Sequence, residues 1–309
     1  MGPRAGWIGL GLIGRPMALR LLEAGYELVV HNRSREVVRA LVGRGASQAY
    51  SPREVAEQVD VLFTALPFPA TVEEVYLGVD GIVEGAGKGL ICVDHSTVRP
   101  SMSRRIANTL EARGCALLDA PISGGPEAAV AGSLAMMVGG PAEAYQRALP
   151  LLEVLGKRVV RCGPNGAGSS VKLVNQVLVT IHSVAAAEAL AFAEHSGVDP
   201  ELALDLAGAG LGASAMLSRN GPRMLSDDFA PGARIAMLLK DAGLIRERCD
   251  ELGIELPVFF QSKQTFESAF ELELGSSDLA AVLQAVRLSA VLDRRNREPE
   301  GAAVPEPAS

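Results

Sequence analysis

Three glycines near the start of the chain, in Gly9-Leu10-Gly11-Leu12-Ile13-Gly14, constrain its fold more than any other feature. They follow a short apolar run, Ala5–Leu10, and open an amphipathic pattern, Ile13–Ala24, that stops at Gly25. A strand that turns into a helix at G-x-G-x-x-G is the first half of a βαβ unit. The first glycine serves the tight turn, the second lets the backbone approach a pyrophosphate, and the third lets helix and strand pack closely. Unsatisfied N–H groups and the dipole at the helix start favour an anion there. Such a turn alone is a weak signal. Here it is joined by the strand before it, an uninterrupted helix and a second strand, Glu27–His31. The segment predicts dinucleotide binding through Gly9, Gly11, Leu12, Ile13 and Gly14.

The same grammar continues to about Gly163. Aliphatic runs at Val59–Ala65, Leu90–Asp94, Ala116–Asp119, Leu134–Val138 and Arg158–Arg161 alternate with helical patterns such as Ser34–Gly43, Pro100–Arg113 and Ala142–Leu155. Strands and helices alternating at this spacing predict an α/β fold, a Rossmann-type, doubly wound and mainly parallel sheet. After Gly163 the pattern becomes almost wholly helical. The run Ser169–Ser196 contains neither proline nor glycine and stops at Gly197. Roughly 28 residues at 1.5 Å each span about 40 Å, enough to bridge two domains. Its apolar residues go almost all round, as suits a helix packed on several sides. Asp199-Pro200-Glu201 opens a further helix, and others follow near 235–252, 257–270 and 278–292. The expected division is a dinucleotide-binding domain over 1–163, an interdomain helix over 164–196, an all-α domain over 197–295, and a disordered tail rich in Pro, Glu and Ala over 296–309.

Composition narrows the function. A net charge of −7 with no basic cluster excludes a nucleic-acid backbone as partner. The longest apolar stretch, Val177–Ala193, is interrupted by His182, Ser183 and Glu188, and reads as a buried helix rather than a membrane span. No secretory leader pattern precedes Trp7, so a cytoplasmic protein is expected. Cys92, Cys115, Cys162 and Cys249 form no CxxC or CxxH pair, giving neither a zinc site nor a disulfide framework, and no metal is expected. Cys92 and Cys115 read as core residues.

Cofactor choice is read at the end of the second strand, where an NAD site usually carries a carboxylate for the ribose 2′-hydroxyl. This chain has Asn32-Arg33-Ser34-Arg35 instead. Two guanidiniums and no carboxylate favour the 2′-phosphate of NADP(H), while NAD(H) stays open. Two further segments carry chemistry. Asp119-Ala120-Pro121-Ile122-Ser123-Gly124-Gly125 follows a strand and offers a hydroxyl with close-set backbone N–H donors, which suits a carboxylate. On the long helix Lys172, Asn175 and Gln176 stand at i, i+3 and i+4, on one face. Burying such groups unpaired costs a few kcal/mol each, roughly, so a cleft or a satisfied interhelical network must receive them.

Taken together, Gly9–Gly25, Asp119–Gly125, Gly166–Gln176 and Lys240-Asp241 resemble the β-hydroxyacid dehydrogenase family, over the chain up to about residue 292. The resemblance implies a Rossmann-type domain, a long interdomain helix, and an all-helical domain that helps form homodimers or homotetramers. It implies Lys172 as catalytic acid/base, Ser123, Gly124 and Gly125 as the cradle for a substrate carboxylate, and Asn175 and Gln176 beside them. It also implies cofactor contacts from Leu66, Pro67 and Thr97, with Lys240 near the nicotinamide end, and it likens Asn32, Arg33 and Ser34 to members that use NADPH. The implied substrate is a small 3-hydroxy acid or carboxylated aldehyde. Ile13 replaces the family's usual methionine, a volume-conserving change. His95 occupies a variable slot and is set aside as a base in favour of Lys172. Imine reductases share the architecture but usually lack the lysine, 6-phosphogluconate dehydrogenase needs a longer helical domain, and sulfolactaldehyde reductases differ in the substrate turn. A silent NADP-binding structural or regulatory protein is the alternative from another class.

Overall fold

The computed structural model describes residues 2–297, with side chains to residue 290. The expected tail over 296–309 lies almost wholly outside the described residues. The chain divides into two compact units. One runs from the N-terminus to Gln176 and includes Gly243–Ile254; the other comprises Val177–Ala242 and the residues from Glu255 onward.

The first unit is built on a sheet with strands β1 (Ala5–Ile8), β2 (Leu28–His31), β3 (Ser47–Gln48), β4 (Val61–Thr64), β5 (Ile91–Asp94), β6 (Ala116–Asp119), β7 (Ile122–Ser123), β8 (Ala135–Gly139) and β9 (Arg158–Gly163). The strand order is β3-β2-β1-β4-β5-β6-β8-β7, with β9 paired to β8. From β3 to β6 all pairing is parallel, and the order reverses between β1 and β4, the switch point where ligands of doubly wound sheets bind. β8 runs antiparallel to β6 and β7. Successive strand residues feed opposite faces. Trp7, Phe63, Val93 and Leu118 enter one core, and Ile8, Leu62, Cys92 and Leu117 the other. Burial on both faces is what a parallel sheet requires, and it accounts for the unbroken aliphatic runs in the sequence.

Register places the strand ends in one row. Ile8 pairs with His31 and Thr64, Thr64 with Asp94, and Asp94 with Asp119. The segments after these residues therefore all emerge at the same edge. The turn from β1 into the Gly14–Glu23 helix is as tight as the glycine spacing requires. Gly9 adopts φ +94°, and a Cβ on Gly14 would overlap the Gly9 carbonyl oxygen, whereas a Cβ on Gly11 would meet no heavy atom within 4 Å.

The long helix spans Ala167–Ser196, about 45 Å at 1.5 Å per residue, and crosses the division between the units. It starts two residues earlier than the sequence pattern implied, and takes Gly168 into its first turn. A Cβ there would overlap the carbonyl oxygens of Met137 and Asp119, so the apparent helix breaker is a point of close approach. This helix is long and apolar enough to cross a membrane by length and composition alone, but half of its most apolar window is buried inside the protein. The second unit is helical around Val184, Leu190, Leu238, Phe266 and Val282. There the buried Asp278 accepts two hydrogen bonds from Arg219, at 2.9 and 2.7 Å, and one from the Ala233 N–H.

The glycine contacts give a direct contrast. Gly14→Ala should lower stability by about 1–3 kcal/mol through overpacking, while Gly11→Ala should stay within about 0.5 kcal/mol of the parent. Thermal melts of the two variants check this, and equal melting temperatures would contradict it.

Candidate functional site

Around the glycine turn, the Gly14–Glu23 helix begins at Ile13 with no side-chain cap and no acidic residue in its first turn. The positive dipole end is thus open to an anion, while the Arg15 N–H is already turned onto the Gly11 carbonyl oxygen at 3.1 Å. Asn32 braces this turn, because its Oδ1 accepts from the Leu10 N–H at 3.0 Å. Arg33 and Ser34 are exposed, and Ser34 starts the Arg35–Val42 helix without a side-chain cap bond. Arg35 is engaged elsewhere, over the Tyr50 ring at 5.1 Å. Leu12, at 56% exposed, and the exposed Pro67 leave apolar surface on the loops after β1 and β4. Open space at Gly11, an uncapped helix start and uncommitted Arg33 and Ser34 fit a dinucleotide phosphate chain.

Behind that surface lies a buried polar chain that sequence reading did not single out. The Thr64 hydroxyl donates to Asp94 Oδ1 at 2.7 Å, and the Ser96 N–H donates to the same oxygen at 3.1 Å. Thr64 therefore accepts from the Tyr76 hydroxyl, 3.0 Å away. Ser96 Oγ accepts from the Leu66 N–H at 3.0 Å, which ties the loop after β4 to the loop after β5. Leu66, Pro67 and Thr97 are carried on these two loops. The signal in the sequence was an aspartate ending an apolar strand, with two hydroxyl residues following one position further on.

His95 is buried and serves as scaffold. Its Nδ1–H donates to the Ala120 carbonyl oxygen at 2.7 Å, and its ring stacks on Trp7 and Phe63, each at 5.8 Å between centroids. The Trp7 indole N–H in turn donates to the Gly9 carbonyl oxygen at 3.0 Å. Burial lowers the His95 imidazole from 6.5 to about 4 and raises the Asp94 carboxyl from 3.8 to about 6.

Among the remaining site residues, Ser123 ends β7 opposite Ala135, and Gly124 and Gly125 lead into a helix over Gly125–Ala131. Lys172 is 8% exposed, and its Nζ donates to Gln176 Oε1 at 2.9 Å. Asn175 Nδ2 donates to the same oxygen at 2.9 Å. These three polar side chains of the long helix thus form one cluster. Asp119 accepts at Oδ1 from the Gly166 N–H and at Oδ2 from the Ser169 N–H, at 2.8 and 2.9 Å. Lys240 belongs to the second unit, where its Nζ lies 2.7 Å from Asp241 Oδ1. Among the described residues no group of three or more His, Cys, Asp or Glu is arranged to hold a metal ion.

A Rossmann-type sheet with an open glycine turn at its switch point, followed by a helical unit, defines a class of nicotinamide-dependent oxidoreductases. A family profile described as the NAD binding domain of 6-phosphogluconate dehydrogenase matches residues 4–163, and one described as the NAD-binding domain of NADP-dependent 3-hydroxyisobutyrate dehydrogenase matches residues 166–286. The chain is 35% identical to 2-hydroxy-3-oxopropionate reductase of Escherichia coli, over 93% of this chain and 98% of that one. It is also similar to the crystal structure of 3-hydroxyisobutyrate dehydrogenase from Salmonella typhimurium, with a TM-score of 0.83, 30% identity, and coverage of 91% and 99%. A structure of 3-hydroxyisobutyrate dehydrogenase from Mycobacterium tuberculosis with L-serine matches with a TM-score of 0.85 and 28% identity, covering 93% and 100%. The chain belongs to the β-hydroxyacid dehydrogenase family.

The two buried groups at the end of β5, Asp94 and His95, respond to pH in opposite senses. Between pH 3.8 and about 6 the folded protein keeps a proton on Asp94 that the unfolded chain has lost, so this contribution to stability is full in acid and fades as pH rises. Folded His95 stays neutral down to about pH 4 while the unfolded chain protonates from 6.5, so its contribution is full above 6.5 and fades as pH falls. Melting temperature should therefore fall more steeply toward acid in Asp94→Asn than in the parent, and less steeply in His95→Gln. Melts between about pH 4.5 and 7 test this, and parallel curves for all three proteins would refute it.

Proposed function

We propose that this protein transfers a hydride between NADP(H) and a small 3-hydroxy acid or the matching carboxylated semialdehyde, with Lys172 as general acid/base. The observation that carries the reading is the buried cluster of Lys172, Asn175 and Gln176, on a helix whose first turn is fixed to the end of β6. A buried ammonium held by an amide oxygen is directed and shielded from bulk water, as an acid/base must be.

When bound, the nicotinamide supplies the hydride acceptor or donor. The protein's own groups do the rest. The Ser123 hydroxyl and the backbone N–H groups of Gly124 and Gly125 hold the substrate carboxylate, which fixes the carbon bearing the oxygen. In reduction Lys172 gives a proton from Nζ to the developing alkoxide; in oxidation the neutral amine takes it from the hydroxyl. Asn175 and Gln176 orient the amine. Arg33 and Ser34 hold the 2′-phosphate and set the preference for NADP(H), with NAD(H) a weaker cofactor. Exposed apolar side chains on the second unit, Leu202, Leu206 and Leu211 among them, support assembly as a homo-oligomer.

The experiment is cofactor oxidation with NADPH and NADH against a panel of carboxylated aldehydes, run on the parent and on Lys172→Ala. The variant should keep its affinity for NADPH and lose turnover by roughly 10²–10⁴-fold. An unimpaired variant would refute the lysine's role, and cofactor binding without turnover of any aldehyde would point to a silent binder. Arg33→Ala should raise the KM for NADPH by about tenfold or more, the worth of a charge-assisted hydrogen bond, and leave that for NADH unchanged. Parallel changes for the two cofactors would remove Arg33 from the 2′-phosphate.

A further inference from the structure

We propose that Asp119 is a positioning residue that holds Lys172 in register with the Ser123 turn by clamping the first turn of the long helix to the end of β6. The inference rests on the reading of Lys172 as acid/base.

Helix starts are ordinarily satisfied by the side chain of the residue just before them. Here that residue is Gly166, which has no side chain to offer, and the capping group comes from another element. Both oxygens of the Asp119 carboxylate are used on this helix start, one by Gly166 and the other by Ser169. Two bonds to N–H groups three residues apart fix direction as well as position, which a single hydroxyl cap does not. Asn165 adds a third tie, donating from Nδ2 to the Leu117 carbonyl oxygen of the same strand at 2.8 Å.

The contact has no slack. A Cβ on Gly139 would stand 2.6 Å from Asp119 Oδ1 and 2.8 Å from the Gly168 nitrogen, and one on Gly168 would overlap backbone oxygens of Asp119 and Met137. The helix start is thus seated backbone against backbone on β6 and β8. Lys172 follows Ser169 by three residues, a rise of about 4.5 Å, so a shift at the clamp reaches the amine undiminished. At the other end Asp119 begins the segment that carries Ser123. Ala120 N–H donates to the Asp94 carbonyl oxygen at 2.7 Å, the Met137 N–H donates to the Pro121 carbonyl oxygen at 3.1 Å, and Ser123 pairs with Ala135. One carboxylate therefore references the proposed acid/base and the proposed carboxylate cradle to a single strand end.

A charge is an expensive way to cap a helix. Asp119 is 1% exposed, and burial pushes its carboxyl up despite the N–H bonds from Gly166 and Ser169 that lower it. Helix stability alone is met by a Ser, Thr, Asn or Asp side chain on the residue just before the helix. A buried bidentate acceptor is suited to holding a helix at a set place and angle.

The test is a double-mutant cycle of Asp119→Asn with Lys172→Ala, using 2-hydroxy-3-oxopropionate and 3-hydroxyisobutyrate as probes. Single-turnover hydride transfer and the Kd for NADPH are measured in each protein. Asp119→Asn should slow turnover by about tenfold to a hundredfold, as a misplaced group does, with the Kd for NADPH unchanged. In the Lys172→Ala background the same substitution should slow the residual rate by less than about twofold, because its effect runs through the missing amine. Equal losses in both backgrounds, or a loss of NADPH affinity alongside turnover, would make Asp119 a fold residue only and overturn the inference. A Lys172→Ala protein with parental turnover would fail the acid/base reading itself, and this inference with it. Should Asp119→Asn not fold, Asp119→Glu keeps both acceptors but displaces the helix start, and the same cycle applies to it.

Discussion

Parallel pairing brings Ile8, His31, Thr64, Asp94 and Asp119 into one row, and the chemistry of the first unit depends on that row. A slip of one residue in any strand would exchange its two sets of core side chains, moving Trp7 or Phe63 into the opposite core. Both cores are filled by large groups, so the slip is heavily disfavoured. The packing inside the sheet thereby sets the level of the loops outside it. The glycine turn, Asn32, Leu66, Ser96 and the Ser123 segment are held at a common edge by residues that touch none of the expected ligands.

Much of this fold was legible in the sequence. Unbroken aliphatic runs and the glycine turn sufficed for β1, β2, β4, β5, β6, β8 and β9 and for the mainly parallel sheet, because tight turns and buried strands leave few other choices of residue. Other features were not legible, for identifiable reasons. The two-residue strands β3 and β7 are too short to show a period. The antiparallel course of β8 follows from its pairing with β6 and β7, which no local pattern encodes. Gly168 reads as a helix breaker, and only the neighbouring backbones of Asp119 and Met137 explain it inside the helix. The grouping of Gly243–Ile254 with the first unit divides a helix, Ile235–Leu252, at Gly243, a single glycine inside a helical pattern that does not by itself announce a boundary.

At the candidate site the reading was strongest where chemistry shows in residue type, as in Lys172 with its two amides. It was weakest where ordinary residues act through place. Asp94 and Asp119 look like strand-end aspartates, and only three-dimensional pairing shows both buried and bound to backbone N–H groups. His95 looks like a base in sequence, yet it stands in an aromatic stack with its Nδ1–H spent on a carbonyl. These groups form a layer between the hydrophobic cores and the exposed loops, where polar partners are supplied by backbone groups and by neighbouring hydroxyls such as that of Thr64. That layer converts strand register into loop position.

Trp7 is the only tryptophan in the chain, and it is fully buried with its indole N–H on the Gly9 carbonyl oxygen and its ring against Phe63 and His95. The molecule therefore carries a single indole fluorophore, bonded to the first glycine of the dinucleotide turn and stacked on the histidine that leans on Ala120. Reduced nicotinamides absorb where indole emits, so occupancy of that turn has an optical signature without any label. Emission from one residue thus reports on two loops that meet at the same sheet edge.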